Sequence, residues 1–219
     1  MIIRIVEGLA GARDATGTVV VIDVFRAFTT AAYAFAAGIE EIELVDTVEE
    51  ALAAQGFRMG EVGGRLIPGF DHNNSPSQLA GRRLSGRAVM RTSAGTRCVV
   101  AATRAREIWL ASLVVASATA RALAGQDAVT LVASGRPNEG EEDLACAEWL
   151  AAALRGERPS DAATIAAVLG SRAAAKHGGG DTDLPVEDVP CVTAIDRFPF
   201  AIKATRQDGR TIATPVWMP

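Results

Sequence analysis

These 219 residues read as an α/β chain in which helices cover both faces of a largely parallel or mixed sheet, a layered α/β/α arrangement. One domain over 1–219 is expected, with room for two closely packed subdomains. Two features carry this reading. Residues 18–24 are β-branched and almost wholly apolar, as a strand covered on both faces must be. The succession of strand, small polar turn and Ala-rich helix then recurs along the chain, which is how parallel sheets are built.

The first unit runs from the strand 18–24, whose apolar run ends in Asp23, into a helix over 29–37 that stops at Gly38. Residues 42–45 form a second strand and 47–55 a second helix, with Glu49 and Glu50 in its positively polarised first turn. From Gly60 to Pro76 the chain is punctuated by Gly, Pro and Asn, yet Leu66 and Phe70 offer apolar anchors, so an ordered functional loop is expected. A strand over 88–91 enters the turn Thr92-Ser93-Ala94-Gly95-Thr96, with a helix over 99–105 beyond it. Strands over 108–110 and 129–133 flank a helix over 117–124. The acidic cluster Glu139, Glu141, Glu142 and Asp143 precedes a helix on which Leu144, Ala147, Ala151 and Leu154 recur, and 160–169 is a further helix. The Gly- and acid-rich stretch 178–188 is the segment expected to be mobile.

Composition removes several function classes. A net charge of −4 with scattered basic residues supplies no field for nucleic acid. No apolar run reaches the roughly 18 residues of a membrane span, and no leader pattern opens the chain, so a cytoplasmic protein without membrane partner is expected. Cys98, Cys146 and Cys191 are far apart and read as free thiols. His72 and His177 are the only imidazoles, too few for a His-rich metal site, so carboxylates and arginines must carry the chemistry.

In open α/β sheets ligands gather beyond the carboxyl ends of the strands. Three segments put polar groups there. Asp23 and Arg26 follow the first strand: either a helix N-cap with a surface arginine, or a metal ligand with an anion clamp. Arg91, Thr92, Ser93, Gly95 and Thr96 form a small-residue turn at a helix start, suited to cradling phosphate or sulfonate, or else a capped turn without ligand. Glu61, Asp71, Glu142 and Asp143 supply oxygen ligands of the kind Mg²⁺ prefers, and Asn74 and Ser75 could touch the ligand or cap a short helix. Ser93 has no nucleophile elbow around it.

The segments DVFRAFTT (23–30), GEVGGRLIPGFDHNNSP (60–76), RTSAGT (91–96) and GEEDLACAEWL (140–150), in this order and spacing, resemble the signature blocks of the 2-phosphosulfolactate phosphatase family. The resemblance runs from about Val19 to the DRFPFA segment (196–201). It implies a magnesium-dependent enzyme that hydrolyses the small-molecule ester 2-phospho-3-sulfolactate to 3-sulfolactate and phosphate, a step toward coenzyme M in some organisms. It further implies metal coordination by Asp23, Glu61 and Asp143, with Asp71 and Glu142 in reserve, and substrate binding by Arg26, Arg91, Thr92, Ser93, Gly95 and Thr96. The family often carries Thr-Thr-Asn-Gly-Thr at the 91–96 turn and Gly-Asn-Ser-Pro at 73–76; these departures bear on the exact acid bound and leave the reaction class standing. Water is preferred over Asp23 as the attacking group, because Phe25 stands where phosphoaspartate enzymes place a second acid. The alternatives are an unsulfonated 2-phospho carboxylate as substrate, or a non-catalytic receptor for small anions. A homodimer is the base-rate expectation for assembly.

Overall fold

The computed structural model describes residues 1–137 and 139–218. In chain order its elements are β1 (Ile2–Glu7), α1 (Gly8–Asp14), β2 (Gly17–Ile22), α2 (Ala27–Ala36), β3 (Glu41–Leu44), α3 (Val48–Ala53), β4 (Phe57–Val62), β5 (Arg65–Leu66), β6 (Arg87–Arg91), α4 (Gly95–Ala101), β7 (Ala105–Ala111), α5 (Ala116–Ala122), β8 (Ala128–Ala133), α6 (Glu141–Leu154), α7 (Asp161–Leu169), α8 (Arg172–Ala175), α9 (Asp188–Val192), β9 (Phe200–Gln207) and β10 (Arg210–Trp217). The strands lie in the order β1-β8-β2-β7-β9-β10-β3-β6-β4-β5.

This is the layered α/β arrangement with a mixed sheet that the sequence indicates. One parallel block joins β1, β8, β2 and β7; a second joins β3, β6 and β4. The antiparallel hairpin β9–β10 lies between them, pairing with β7 on one side and β3 on the other. Its turn is Asp208-Gly209, both at positive φ (51° and 74°), the backbone that a two-residue hairpin requires. Val19, Val20, Val21 and Ile22 are wholly buried at the centre of the first block, one face packing toward Phe28 and Phe35 of α2 and the other toward Trp149 and Leu150 of α6.

Sequence expectation and structure part in several places. β1, α1 and the hairpin were not anticipated. The segment from Gly60 onward is the end of β4 followed by β5, before an irregular stretch held by short-range bonds. α4 begins at Gly95 rather than near residue 99 and ends at Ala101, because β7 starts at Ala105. Residues 178–188 are tied down: Arg65 pairs with Asp181 at 2.7 Å, Asn73 Nδ2 donates to Asp183 at 2.7 Å, and Asp188 is fully buried. Trp109 and Trp149 pack as expected, whereas Trp217 is 64% exposed with its ring against Phe200. Cys98 and Cys146 are buried free thiols, and Cys191 is a half-buried one. No helix among the described residues is long and apolar enough to cross a membrane.

Candidate active site

The two parallel blocks run opposite to one another across the β9–β10 hairpin, and the acids are brought together by the segments at the ends of β2 and β4 and after β8. The chain leaves β2 at Asp23, whose Oδ1 accepts from Ala27 N at 2.8 Å. Oδ1 thus holds the first N–H of α2, although the N-cap position itself is Arg26, which is buried; Oδ2 points to Ser134 Oγ at 3.2 Å. Ser134 follows β8, and the same hydroxyl lies 3.2 Å from Asp143 Oδ2. One Ser134 proton serves only one of the two carboxylates at a time. Asp143, in the first turn of α6, also accepts from Val24 N (2.8 Å) and Gly135 N (3.0 Å), so it clamps the loops after β2 and β8.

Glu61 reaches the same place from the end of β4. Its Oε1 accepts from Ser93 N at 2.5 Å, and its Oε2 from Ser93 Oγ (2.9 Å) and Gly64 N (2.7 Å). Close approach of these loops depends on two glycines. A Cβ on Gly95 would stand 2.6 Å from Asp23 Oδ2, and one on Gly60 would meet Arg91 O at 1.9 Å.

Among the described residues no ion pair is formed by Asp23, Glu61, Glu142 or Asp143, although the Lys176 charge acts on Glu142. Burial, with Glu61 and other groups acting on top of it, pushes Asp23 up to about 6. Burial first, then the charge of Asp23, pushes Glu142 up to about 7, and Asp143 is raised well above the carboxylate range by burial, Asp23 and Glu142. Glu142 Oε2 is buried without a hydrogen-bond partner. Raised acids converging at a strand-end cleft mark a functional site more often than a structural one. Asp23 and Glu61 line a cleft of ≈ 220 Å³ together with Arg26, Asn74, Ser93, Lys176 and His177. A second cleft of ≈ 610 Å³ opens from it, sharing Gly63, Ser93, Ala94 and Lys176. A cavity of ≈ 560 Å³ around Glu43, Glu50 and Arg210 is remote from these acids, so volume alone does not pick the site.

Other residues marked in the sequence have different tasks. Asp71 is exposed and accepts from Arg58 N at 2.8 Å, at the far end of β4 from Glu61, so it stands outside the carboxylate group. Arg91 donates Nε to the Asp46 carbonyl (3.2 Å) and Nη1 to the Glu61 carbonyl (2.9 Å), which ties the end of β4 to β6. Thr92 and Thr96 hydrogen-bond reciprocally (2.9 and 3.1 Å) and close the turn at the start of α4; this is the capped-turn reading. Arg26 is buried, with Nη1 2.6 Å from Asp188 and 2.9 Å from Asp183 O. Ser75 Oγ donates to Asp188 at 2.7 Å, while Asn74 keeps a buried amide oxygen without partner on the cleft wall.

Four participants were missed. Ser134 bridges two acids, and Asp188 holds Arg26; a Ser just past an apolar strand end and an Asp heading a short helix were the available signals. Lys176 and His177 come from the end of α8. His177 Nδ1 donates to Ala173 O at 3.0 Å, which fixes Nε2 as the acceptor; that atom is buried and unpartnered, and the ring lies 4.7 Å from that of Phe25. No periodicity marks these two residues.

The donor set is all oxygen, as a hard divalent cation requires. Among the described residues no three Asp, Glu, His or Cys side chains are already grouped so as to hold a metal ion. Mg²⁺ binds through one or two carboxylates and completes its shell with water and substrate oxygens. The orphaned Glu142 Oε2 and the mutually raised acids fit an added cation.

Residues 4–177 match the family profile described as 2-phosphosulpholactate phosphatase. A curated protein of Bacillus subtilis (strain 168), named "Probable 2-phosphosulfolactate phosphatase", is 35% identical over 203 residues, covering 87% of this chain and 87% of that one. Proteins of the same name from Deinococcus radiodurans and Thermus thermophilus are 38% identical over 174 residues (74% of this chain, 70% of the relative) and 40% identical over 159 residues (68% and 67%).

Proposed function

Because the chain belongs to the 2-phosphosulfolactate phosphatase family, a family of phosphoric monoester hydrolases, we propose that it hydrolyses 2-phospho-3-sulfolactate to 3-sulfolactate and phosphate with Mg²⁺ as cofactor. The observation that supports this most is the meeting of Asp23, Glu61 and Asp143 from three separate loops, buried and with no cationic partner.

In this reading Asp23 and Glu61 hold the cation from the cleft wall, with Asp143 behind Ser134 and Glu142 adding charge. The cation supplies charge neutralisation for a phosphoryl oxygen. The chain itself does the rest. Asp143 fixes Asp23 by bonding the loops on either side of it, and Ser93 fixes Glu61 through two hydrogen bonds. Ser93 and the Gly63–Gly64 segment form the wall against which the phosphoryl group lies. A water oxygen bonds to phosphorus, the ester P–O bond breaks in line, and the alcohol oxygen leaves with a proton. Water rather than Asp23 is the attacking group in this reading, since Phe25 stands where phosphoaspartate enzymes place a second acid.

Purified protein should release inorganic phosphate from 2-phospho-3-sulfolactate when Mg²⁺ is added and lose this after chelation. Asp23→Asn should lower kcat by about 10²- to 10³-fold, the usual cost of deleting one electrostatic contributor. Titration calorimetry with Mg²⁺ gives a readout apart from turnover. Absence of both phosphate release and Mg²⁺ binding would refute the reading.

A further inference from the structure

The proposed substrate carries a carboxylate and a sulfonate besides its phosphoryl group, yet the arginines nearest the acids are committed. Arg26 is paired with Asp188 and bonded to Asp183 O, and Arg91 is bonded to two carbonyls. Lys176 differs. It stands at the C-terminal end of α8 and is exposed, and its ammonium forms no hydrogen bond or ion pair among the described residues. It lines both the small cleft with Asp23 and Glu61 and the larger one that opens from it.

The larger cleft also contains Arg97 and Arg136, but these have acidic neighbours. Arg97 Nε is 2.7 Å from Asp46, and Arg136 Nη1 is 3.9 Å from Glu139. Glu7 and Glu139 share its wall. An ammonium at the junction, free to rotate on a flexible stem, suits an anion of either geometry.

We propose that the larger cleft is the subsite for the acid end of the substrate, and that Lys176, at the junction of the two clefts, binds its second anionic group and thereby selects multiply charged esters over simple ones. This rests on the phosphatase reading above. The phosphoryl group lies on the floor against Asp23 and Glu61, and the carboxylate or sulfonate extends past Ser93 and Ala94 toward Lys176.

The test compares wild type, Lys176→Gln and Lys176→Arg on three esters: 2-phospho-3-sulfolactate, 2-phospholactate and p-nitrophenyl phosphate. Lys176→Gln should raise KM for the first two about tenfold more than for the third, as loss of one charge-assisted hydrogen bond implies. Lys176→Arg should recover most of that discrimination. A larger change with the sulfonated ester than with phospholactate assigns Lys176 to the sulfonate, and an equal change assigns it to the carboxylate. Equal loss on all three esters, or none, overturns the proposal. Calorimetric binding of 3-sulfolactate is the arm independent of turnover. If wild type binds it and Lys176→Gln binds it equally well, or if wild type does not bind it, the subsite is refuted; if binding weakens as expected while no ester is hydrolysed, it is the phosphatase reading that has failed.

Discussion

Asp188 and Asp143 are both buried acids at loop ends, and the molecule treats them in opposite ways. Asp188 receives the Arg26 guanidinium at 2.6 Å, the hydroxyls of Ser75 and Ser77 at 2.7 and 2.6 Å, and Ser77 N at 3.0 Å. Its charge is matched within the chain. Asp143 receives two backbone N–H groups and a shared hydroxyl, and its neighbours by charge are further acids, Asp23 and Glu142. A buried charge with a full set of partners is architecture, while one that leans on other like charges is waiting for something from outside. The first network holds the end of the 178–188 stretch at Asp188; the second leaves like charges side by side at the cleft.

The contrast breaks most visibly at Asp188. Asp188→Ala leaves Arg26 buried without its counter-ion and should cost about 3–5 kcal/mol of stability in urea denaturation. A loss below about 1 kcal/mol would mean the pair is not the anchor it looks like. Next in size is Gly95→Ala, whose methyl would displace the Asp23 carboxylate; a shift of this kind should lower kcat by about 10²-fold, while chemical denaturation changes far less than in Asp188→Ala. Unaltered turnover would show that Asp23 tolerates being moved.

Smaller and opposite in sign is Glu142→Gln. Removing an acid whose Oε2 has no partner should stabilise the metal-free protein by up to about 1 kcal/mol; a destabilised variant would place Glu142 with Asp188 among the architectural acids.

The pH dependence of the chelated protein sharpens the same point. Asp23 and Glu142 hold protons in the native state up to about 6 and about 7, whereas the unfolded chain releases them near their ordinary values of 3.8 and 4.5. Over that window the native state binds more protons, so stability falls as pH rises and levels off above about 7. His72 and His177, both lowered chiefly by burial, act the other way, contributing stability that is lost as pH falls below their ordinary value. The declining limb should therefore shrink in Glu142→Gln and Asp23→Asn. Thermal midpoints measured from pH 4.5 to 8 check this, and identical profiles for all three proteins would count against the raised pKa values.

Much of the site was legible before the structure because its residue types are unusual where they stand. An acid ending an otherwise apolar strand, as Asp23 does, violates the local pattern and draws notice, whereas Glu142 and Asp143 open a helix where acids are ordinary and only their burial sets them apart. Thr92 and Thr96 show the limit of such reasoning. A hydroxyl at a helix start serves a ligand or the helix itself with equal ease, and only the partner seen in three dimensions distinguishes them. Asp71 shows another limit, since two acids ten residues apart in one segment can face opposite ends of the sheet.

The sequence by itself determined the α/β class, the buried central strand and Asp23 at its end, because these depend on local periodicity and on charge placed where apolar residues belong, while Glu61 and Asp143 were singled out from the other acids by the family resemblance. Tertiary structure alone decided which charges are matched: that Asp188 reaches across 162 positions to Arg26, that Ser134 stands between Asp23 and Asp143, and that the Lys176 ammonium lines the cleft with no ion pair among the described residues. Pairing of a buried charge is a property of distance in space, and no spacing along the chain encodes it.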